Sequence, residues 1–402
     1  MMNRERFHIQ TAKFLDAHLG RLLVRALGVL RQDAKGADLK PEKILFIKFW
    51  GIGSIILSEP ALRSLRRSFP EAEIHYLTLR QNRQLFEMIP GLSRVHWLDF
   101  RSPWGFLWES LLLLRKLRRE RYDLIIDAEF FAHFSALLAV LAGGKRLAGF
   151  AQPRGAKQKL LDVAVPFSKA SHASRQFLRL VEAAGGVSRQ DAKAQRKSKD
   201  AMAWPQLKLS GTGLRSPFSV LRSYIVLNIN ASPLAVERRW PRERFAQLGR
   251  ELLRRYGFDL VLVGAASEVE YVRPLEENLN EPARVRNLAG KLSLRRLAEV
   301  IQGSLLLISN DSGPLHMAAA LGVPVVGLYG PETPLRYGPL AVRRRIFYRG
   351  LWCSPCMSLD NAKTVNCING LACMREIGVE EVVAGVVEFL EREVLVKEAV
   401  LG

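Results

Sequence analysis

The chain has 402 residues, 48% hydrophobic and 25% charged. That is enough for a large core, and the length suggests two to three domains of ordinary globular composition. Lys and Arg total 60 against 39 acids, for a net charge of +21 and a pI near 10.2, a field that attracts polyanions: nucleic acid, an anionic membrane face or a phosphate-bearing substrate. No zinc-finger spacing with histidines, RNA-recognition signature or helix-turn-helix accompanies that charge, which disfavours nucleic acid and leaves an anionic lipid or nucleotide as the expected partner.

No run of 18 uninterrupted apolar residues exists, so no membrane span is expected. Phe7 to Leu30 follows helical spacing through Leu15, Leu19, Leu22, Ala26, Val29 and Leu30, with Lys13, Arg21 and Arg25 among them. Such a basic amphipathic helix either lies in a membrane interface or packs on its own domain. It lacks a signal-peptide core and cleavage site, which implies cytoplasmic residence, at the inner membrane surface if the amphipathic helix lies in an interface. A second aromatic and basic segment runs from Trp104 to Tyr122, with a solvated helix end as the competing reading.

From Lys43 the pattern becomes α/β. Strands are expected at Ile44–Phe49, Ile74–Leu79, Val95–Leu98 and Leu124–Asp127, with helices at Ile55–Ser68, Gln81–Met88 and Phe130–Leu141. Ser188 to Pro217 is rich in Lys, Arg, Gln, Ser and Gly and reads as a connection between domains. Strands then recur at Ile225–Ile229, Leu260–Val263, Leu305–Ser309 and Val325–Tyr329, with helices at Arg242–Tyr256, Leu294–Gln302 and Leu315–Leu321. A last helix is expected at Val379–Val396. Alternation of this kind predicts two doubly wound, parallel Rossmann-like sheets. The boundaries are a basic N-terminal segment (1–42), an N-terminal domain ending in the linker (43–215), a C-terminal domain (216–378) and a C-terminal helix (379–402).

The densest signal runs from Ser309 to His316, where an apolar strand ends in Asn310-Asp311-Ser312-Gly313 and a helix opens. Ligands of open α/β sheets bind beyond the carboxyl ends of strands, and a helix N-terminus there offers free N–H groups to a diphosphate. Gly313 lets the backbone approach a ligand. Ser312 offers a hydroxyl. Asp311 reads either as a ligand contact or as a helix N-cap.

All four cysteines fall between Cys353 and Cys373, spaced C-x2-C-x10-C-x5-C through Cys356 and Cys367. Four thiolates so placed are a candidate structural zinc site. Unligated or redox-linked thiols and an iron–sulfur cluster are the competing readings.

The string NDSGPLHMAAALGVPVVGLYGPETP from Asn310 closely resembles one carried by the family 9 glycosyltransferases, which include the lipopolysaccharide heptosyltransferases. The stretch KILFIKFWGIGSIILSEPALRSL from Lys43 resembles that family's first strand, Gly-rich turn and helix. Asn230-Ala231-Ser232, Arg239-Trp240-Pro241 and Asn287 to Lys291 resemble further segments in the same order, from about Lys43 to Glu388. The resemblance implies a GT-B fold, two Rossmann-like domains facing across a cleft, and an inverting transferase needing no cofactor for catalysis. Its donor is a nucleotide-sugar, ADP-heptose in the best-known members. Its acceptor is a lipid-linked or phosphorylated glycan of lipopolysaccharide type, taken by the N-terminal domain. Carried over by position, Asp311, Ser312, Gly313 and His316 line the donor, Ser232 sits on the loop after the first strand of its domain, and Arg238 stands where the family usually has a phosphate-binding Lys. Glu268 is a candidate for the nucleoside, and Gly330 and Thr333 for the far wall.

One departure concerns catalysis. The family's usual base is an Asp one residue after the Gly-x-Gly turn, and here Gly51-Ile52-Gly53 is followed by Ser54. A serine at its ordinary pKa does not take the acceptor proton. Glu129, Asp127 and Glu59 are the candidate replacements, with Glu129 preferred, and His133 reads as a packed residue. The alternatives are an acceptor that brings its own activated group and a silent nucleotide-sugar or glycan-binding protein.

Overall fold

The computed structural model describes residues 16, 20–30, 40–99, 103–130, 132–153, 155–186, 204–209, 223–231, 235–357 and 365–395. The chain divides into two compact units, one running from Phe7 to Pro205 and the other comprising Gln206–Gly402 with the N-terminal Met1–Arg6.

The N-terminal unit is built on six strands: β1 (Lys43–Ile47), β2 (Glu73–Leu79), β3 (Arg94–Leu98), β4 (Leu124–Asp127), β5 (Arg146–Phe150) and β6 (Val163–Val165). They lie in the order β3-β2-β1-β4-β5-β6, and every pairing is parallel. Helices over both faces of a parallel sheet bury each strand twice, so strands read as continuous apolar runs rather than alternating ones. Ile44, Leu45, Phe46 and Ile47 are accordingly all fully buried.

The C-terminal unit repeats the plan. Its strands are β7 (Tyr224–Asn228), β8 (Asp259–Leu262), β9 (Val285–Asn287), β10 (Leu306–Asn310), β11 (Val325–Tyr329) and β12 (Arg344–Tyr348). The order is β12-β11-β10-β7-β8-β9, again parallel throughout. Counted from the first strand of each unit, both sheets run 3-2-1-4-5-6, the doubly wound arrangement of dinucleotide-binding folds. The helix Val379–Phe389 closes this unit, packing on the helix Arg242–Arg255 and on β12.

Several elements differ from expectation. The Gln81–Met88 helix shrinks to a 3-10 turn at Arg80–Asn82 and a single α-turn at Arg83–Phe86. The helix expected from Phe130 starts at His133, because Phe130 turns into an aromatic cluster with Phe150, Phe167 and Phe177. β5, β6, β9 and β12 and the helices Ala173–Val181 and Val269–Leu279 were not expected. They are short, lie toward the sheet edges, or carry internal interruptions such as Pro274. The expected linker and Ser232 lie largely or wholly outside the described residues.

The N-terminal segment is fastened to its unit. Asp16 accepts the N–H groups of His133 (2.9 Å) and Phe134 (2.7 Å), satisfying donors that a helix start leaves open. Val24 of the helix Arg21–Leu30 is buried against Ala136 and Leu160. Packing on its own domain therefore holds for one face of that helix, while Leu22 and Leu23 stay exposed.

A buried polar triangle pins β2, β3 and the start of β4. The Tyr122 hydroxyl lies 2.8 Å from His75 Nδ1 and 2.9 Å from His96 Nε2, and the two ring nitrogens are 3.3 Å apart. Burial, with His75 second, pulls the His96 pKa from its ordinary 6.5 down to about 4. The unfolded chain takes up this proton as pH falls below 6.5, whereas the folded chain refuses it until about 4. Stability from this group is thus complete above the upper value and declines toward the lower one. The midpoint of thermal unfolding should fall across that window, and His96→Gln should flatten part of the slope; an unchanged slope removes His96 from the account.

Candidate functional site

In each sheet the strand order reverses once, between β1 and β4 and between β7 and β10. Connections leave toward opposite faces at such a point and open a crevice at the carboxyl ends of the strands. Asp127 and Glu129 lie at the first reversal and Asp311, Ser312, Gly313 and His316 at the second, whereas Glu59, Glu268, Thr333 and the four cysteines lie elsewhere.

In the C-terminal unit, β10 and β7 pair with Ser309 opposite Asn228. The Asn310 amide spans the reversal: its Oδ1 accepts the Trp240 N–H (3.0 Å) and its Nδ2 donates to the Ile229 carbonyl (2.8 Å). Asn228 Nδ2 donates to the hydroxyls of Ser309 and Ser312, each at 2.9 Å. Those hydroxyls are 2.8 Å apart. Ser312, rather than Asp311, is the N-cap of the helix Gly313–Ala320, so the Asp311 carboxylate is not used as a cap. Asp311 instead pairs with Arg238 Nη1 at 3.2 Å. His316 is buried in the first turns of the same helix. Pro314 withholds one N–H, which leaves those of Ser312, Gly313 and Leu315 at the open end.

Glu268 stands nearby on the loop after β8. Its Oε2 accepts the Ala265 N–H at 2.8 Å, and its Oε1 lies 3.9 Å from Arg239. Burial pushes its carboxyl up, against the pull of the Ala265 N–H and Arg239. The Arg239 guanidinium lies 3.9 Å from the centre of the Tyr271 ring, a cation–π contact. Thr333 caps the short helix Pro334–Tyr337 through its hydroxyl.

In the N-terminal unit the reversal holds charge instead of amides. Gly51 follows β1 with φ +81° and opens the helix Ile52–Ser68, whose first turn carries Gly53 and Ser54. Glu129 is not the surface acid its position after a strand suggests; it is 6% exposed. Its Oε1 accepts the N–H groups of Phe49 (2.7 Å) and Trp50 (3.0 Å), and its Oε2 lies 3.1 Å from Lys48. Asp127 is fully enclosed, 2.8 Å from Lys157 and accepting the Glu129 N–H at 3.1 Å. Burial pushes the Asp127 carboxyl up, with Lys157 opposing. Lys157 also donates to the Glu129 carbonyl at 3.1 Å. Glu59 is buried on the Ile52–Ser68 helix against Arg63 at 2.8 Å. His133 faces Asp16 at 3.4 Å.

Asn228, Lys48 and Lys157 were missed from the sequence, and Asn230, quoted there only within a resembling segment, donates through Nδ2 to the Val263 carbonyl at 2.8 Å. Lys48 had a visible signal, a lysine within an apolar run after β1, and Asn228 and Asn230 frame the end of β7. Lys157 had none, since it reaches the reversal from a 3-10 turn far along the chain.

Residues 111–365 match the sequence pattern of glycosyltransferase family 9 (heptosyltransferase). The chain belongs to glycosyltransferase family 9. It is 28% identical over 316 residues to lipopolysaccharide heptosyltransferase 2 of Salmonella typhimurium, covering 76% of this chain and 87% of that one. The solved ADP-heptose lipopolysaccharide heptosyltransferase II of Escherichia coli superposes with a TM-score of 0.68 at 25% identity, covering 87% and 99% of the two chains. An iron-containing dodecameric glycosyltransferase of enterotoxigenic E. coli shares the fold alone, with a TM-score of 0.52 and 12% identity. The two Rossmann-like sheets described above are thus those of a GT-B glycosyltransferase.

On this family 9 frame all four cysteines line one cavity of about 140 Å³. Asn369 Nδ2 approaches Cys353 Sγ at 3.7 Å, and the Leu371 N–H donates to Cys367 Sγ at 3.1 Å. The cavity adjoins the end of β11. Ser354 donates to the Gly330 carbonyl, and a Cβ on Gly330 would lie 3.0 Å from Cys373 Sγ and 2.4 Å from Met374 Sδ. A larger residue there would have to displace the Met374 side chain. Four thiol donors fit a soft metal ion. Among the described residues, however, no three sulfurs lie within 4.8 Å of one another. A tetrahedral centre with four thiolate ligands holds them closer, so metal would draw the loops together.

Burial, reinforced by the other three thiols, pushes the Cys373 pKa up to about 11, while Cys367 is exposed. In metal-stripped protein at about pH 8, iodoacetamide should therefore modify Cys367 at least roughly tenfold faster than Cys373. Equal rates would show that Cys373 is neither buried nor shifted.

Proposed function

We propose that this chain is an inverting glycosyltransferase that moves a heptose, or a related sugar, from an ADP-linked donor to a lipid-linked glycan of lipopolysaccharide type at the inner membrane face. The observation that carries the reading is the Asp311–Arg238 pair beside the open N-terminus of Gly313–Ala320, in a chain of this family. The ADP-heptose assignment is supported by the E. coli relative that bears that name.

Arg238 and the helix N–H groups meet the charge of the donor diphosphate, and Arg adds a planar fork where the family usually has a lysine point charge. Once Arg238 turns onto phosphate, Asp311 is released to accept from sugar hydroxyls. Ser312 and His316 border the same opening, and Glu268 is assigned to the nucleoside; Ser232 keeps the donor role that the resemblance gives it and lies outside the described residues. In the transfer, the acceptor hydroxyl oxygen bonds to the anomeric carbon as the bond from that carbon to the diphosphate oxygen breaks. ADP leaves, and the hydroxyl proton goes to a carboxylate. Arg238 and the helix dipole stabilise the departing charge, so no metal is required for this step.

Glu129 is the proposed base. A carboxylate has about four lone-pair sites. Among the described residues, Glu129 Oε1 has two partners and Oε2 has Lys48 alone, so Oε2 keeps a site for the acceptor hydroxyl. Asp127 and Glu59 are more deeply buried than Glu129, facing Lys157 and Arg63. The four cysteines are proposed as a structural metal centre, zinc by preference, which metal analysis of the purified protein, for zinc and iron together, decides.

The second reading is a silent nucleotide-sugar binder, favoured by Ser54 in place of the usual Asp and by the burial of all three candidate carboxylates. A thermal-shift panel of ADP-, GDP- and UDP-linked sugars tests the donor. Stabilisation by ADP-sugars, with nucleoside diphosphate released only when acceptor is present, is the transferase outcome; stabilisation without turnover is the binder. Asp311→Ala should weaken donor binding about 10- to 100-fold, and unchanged affinity would remove Asp311 from the site. Glu129→Gln should lower kcat roughly 10²- to 10⁴-fold with donor affinity retained. Normal turnover would pass the base to Glu59, Asp127 or the acceptor itself.

A further inference from the structure

The helix Pro103–Glu120 of the N-terminal unit is partnered on one face only. Ser110, Leu113 and Leu117 are buried. On the other side Trp108 is 61% exposed, Leu111 46% and Leu112 40%. Arg115, Lys116 and Arg119 are exposed as well. These six residues recur at three- and four-residue steps, so they form a single stripe along the helix. The stripe is ordered, with its apolar members toward the N-terminal end and its cations toward the C-terminal end. It carries no acid. Glu109 lies off it, half-buried, accepting the Asp99 N–H at 3.0 Å. Arg118 also lies off it, donating to the Leu141 carbonyl at 2.7 Å.

The same unit has a second apolar exposure. The helix Arg21–Leu30 presents Leu22 and Leu23 with exposed Arg25, and both helices pack against His133–Ala142. Among the described residues no helix is long and apolar enough to cross a membrane. A Trp-Leu-Leu tip followed by a cationic collar suits a bilayer interface, where an indole sits at headgroup level and Lys and Arg meet anionic lipid.

We propose that the outer stripe of Pro103–Glu120 is a membrane-docking face for anionic lipid. Trp108, Leu111 and Leu112 enter the interface, Arg115, Lys116 and Arg119 bind headgroups, and Leu22 and Leu23 make a second, smaller contact. The proposal rests on the lipid-linked acceptor assigned above. Charge selects the occupant: the stripe is purely cationic in a chain of net charge +21.

The test is co-sedimentation of the full chain with vesicles of phosphatidylcholine alone and with vesicles in which about a third of the lipid is phosphatidylglycerol. Binding should be confined to the anionic vesicles and weaken as NaCl rises from about 0.1 to 0.5 M. Trp108→Ser/Leu111→Ser/Leu112→Ser and, separately, Arg115→Glu/Lys116→Glu/Arg119→Glu should each lower vesicle affinity at least about tenfold. Both variants should keep the wild-type unfolding midpoint within a few degrees and full stabilisation by an ADP-sugar, which shows that the fold and donor site are intact. Wild-type affinity in either variant overturns the proposal. So does a wild-type chain that ignores anionic vesicles, or one whose self-association, measured by light scattering, is abolished by the Ser variant. Failure of donor binding in the wild type counts against the transferase reading and leaves the docking result standing.

Discussion

The C-terminal unit depends on how the Asn310 side chain closes the gap where strand order reverses. Parallel strands leave N–H and C=O groups without ladder partners at their carboxyl ends, and at a reversal the flanking connections leave in opposite directions. A primary amide supplies both a donor and an acceptor, and Asn310 uses both, tying Trp240 and Ile229 to the end of β10. With Asn228 holding the two serine hydroxyls, the loop from Asn310 to Gly313 is set by neutral groups alone. The Asp311 and Arg238 side chains are thereby left to each other, and to whatever displaces one of them. Charge at this reversal is confined to that single pair, with the Asp311 carboxylate buried and Arg238 partly exposed.

The N-terminal reversal has the same topology and opposite chemistry. Two carboxylates and two ammonium groups are buried together: Lys48 with Glu129, and Lys157 with Asp127. Buried ions of this kind are weak contributors to net stability, but removing one leaves its partner uncompensated, at about 3–5 kcal/mol. Such a cluster holds geometry. Through Glu129 it sets the backbone of Phe49 and Trp50 and hence the approach to Gly51. A carboxylate so engaged is a far more constrained group than one on an open turn.

Most of the architecture was readable from the chain itself. Long apolar runs such as Ile44–Ile47 and Leu306–Ile308 mark doubly covered strands, and the Asp-Ser-Gly turn marks a crevice. The elements that escaped are short or peripheral: β9 has three residues and β12 begins with two arginines. Within the sites, residues that touch each other along one loop were visible, whereas Lys157 acts across a long separation and leaves no local pattern. The choice of cap between Asp311 and Ser312 was also invisible, because either residue type ends such a strand equally well and only the backbone turn decides.

The repeated 3-2-1-4-5-6 order carries a consequence for synthesis. Every strand of the first sheet precedes every strand of the second, so neither sheet waits on the other for a member. The first sheet is complete in sequence at Val165, well before Tyr224 begins the next. Translation proceeds at roughly 5–20 residues per second, and domains fold as units in chain order. The N-terminal unit can thus bury its hydrophobic strands while the other half is still being made, which keeps two large parallel sheets from presenting unpaired edges to each other on the ribosome.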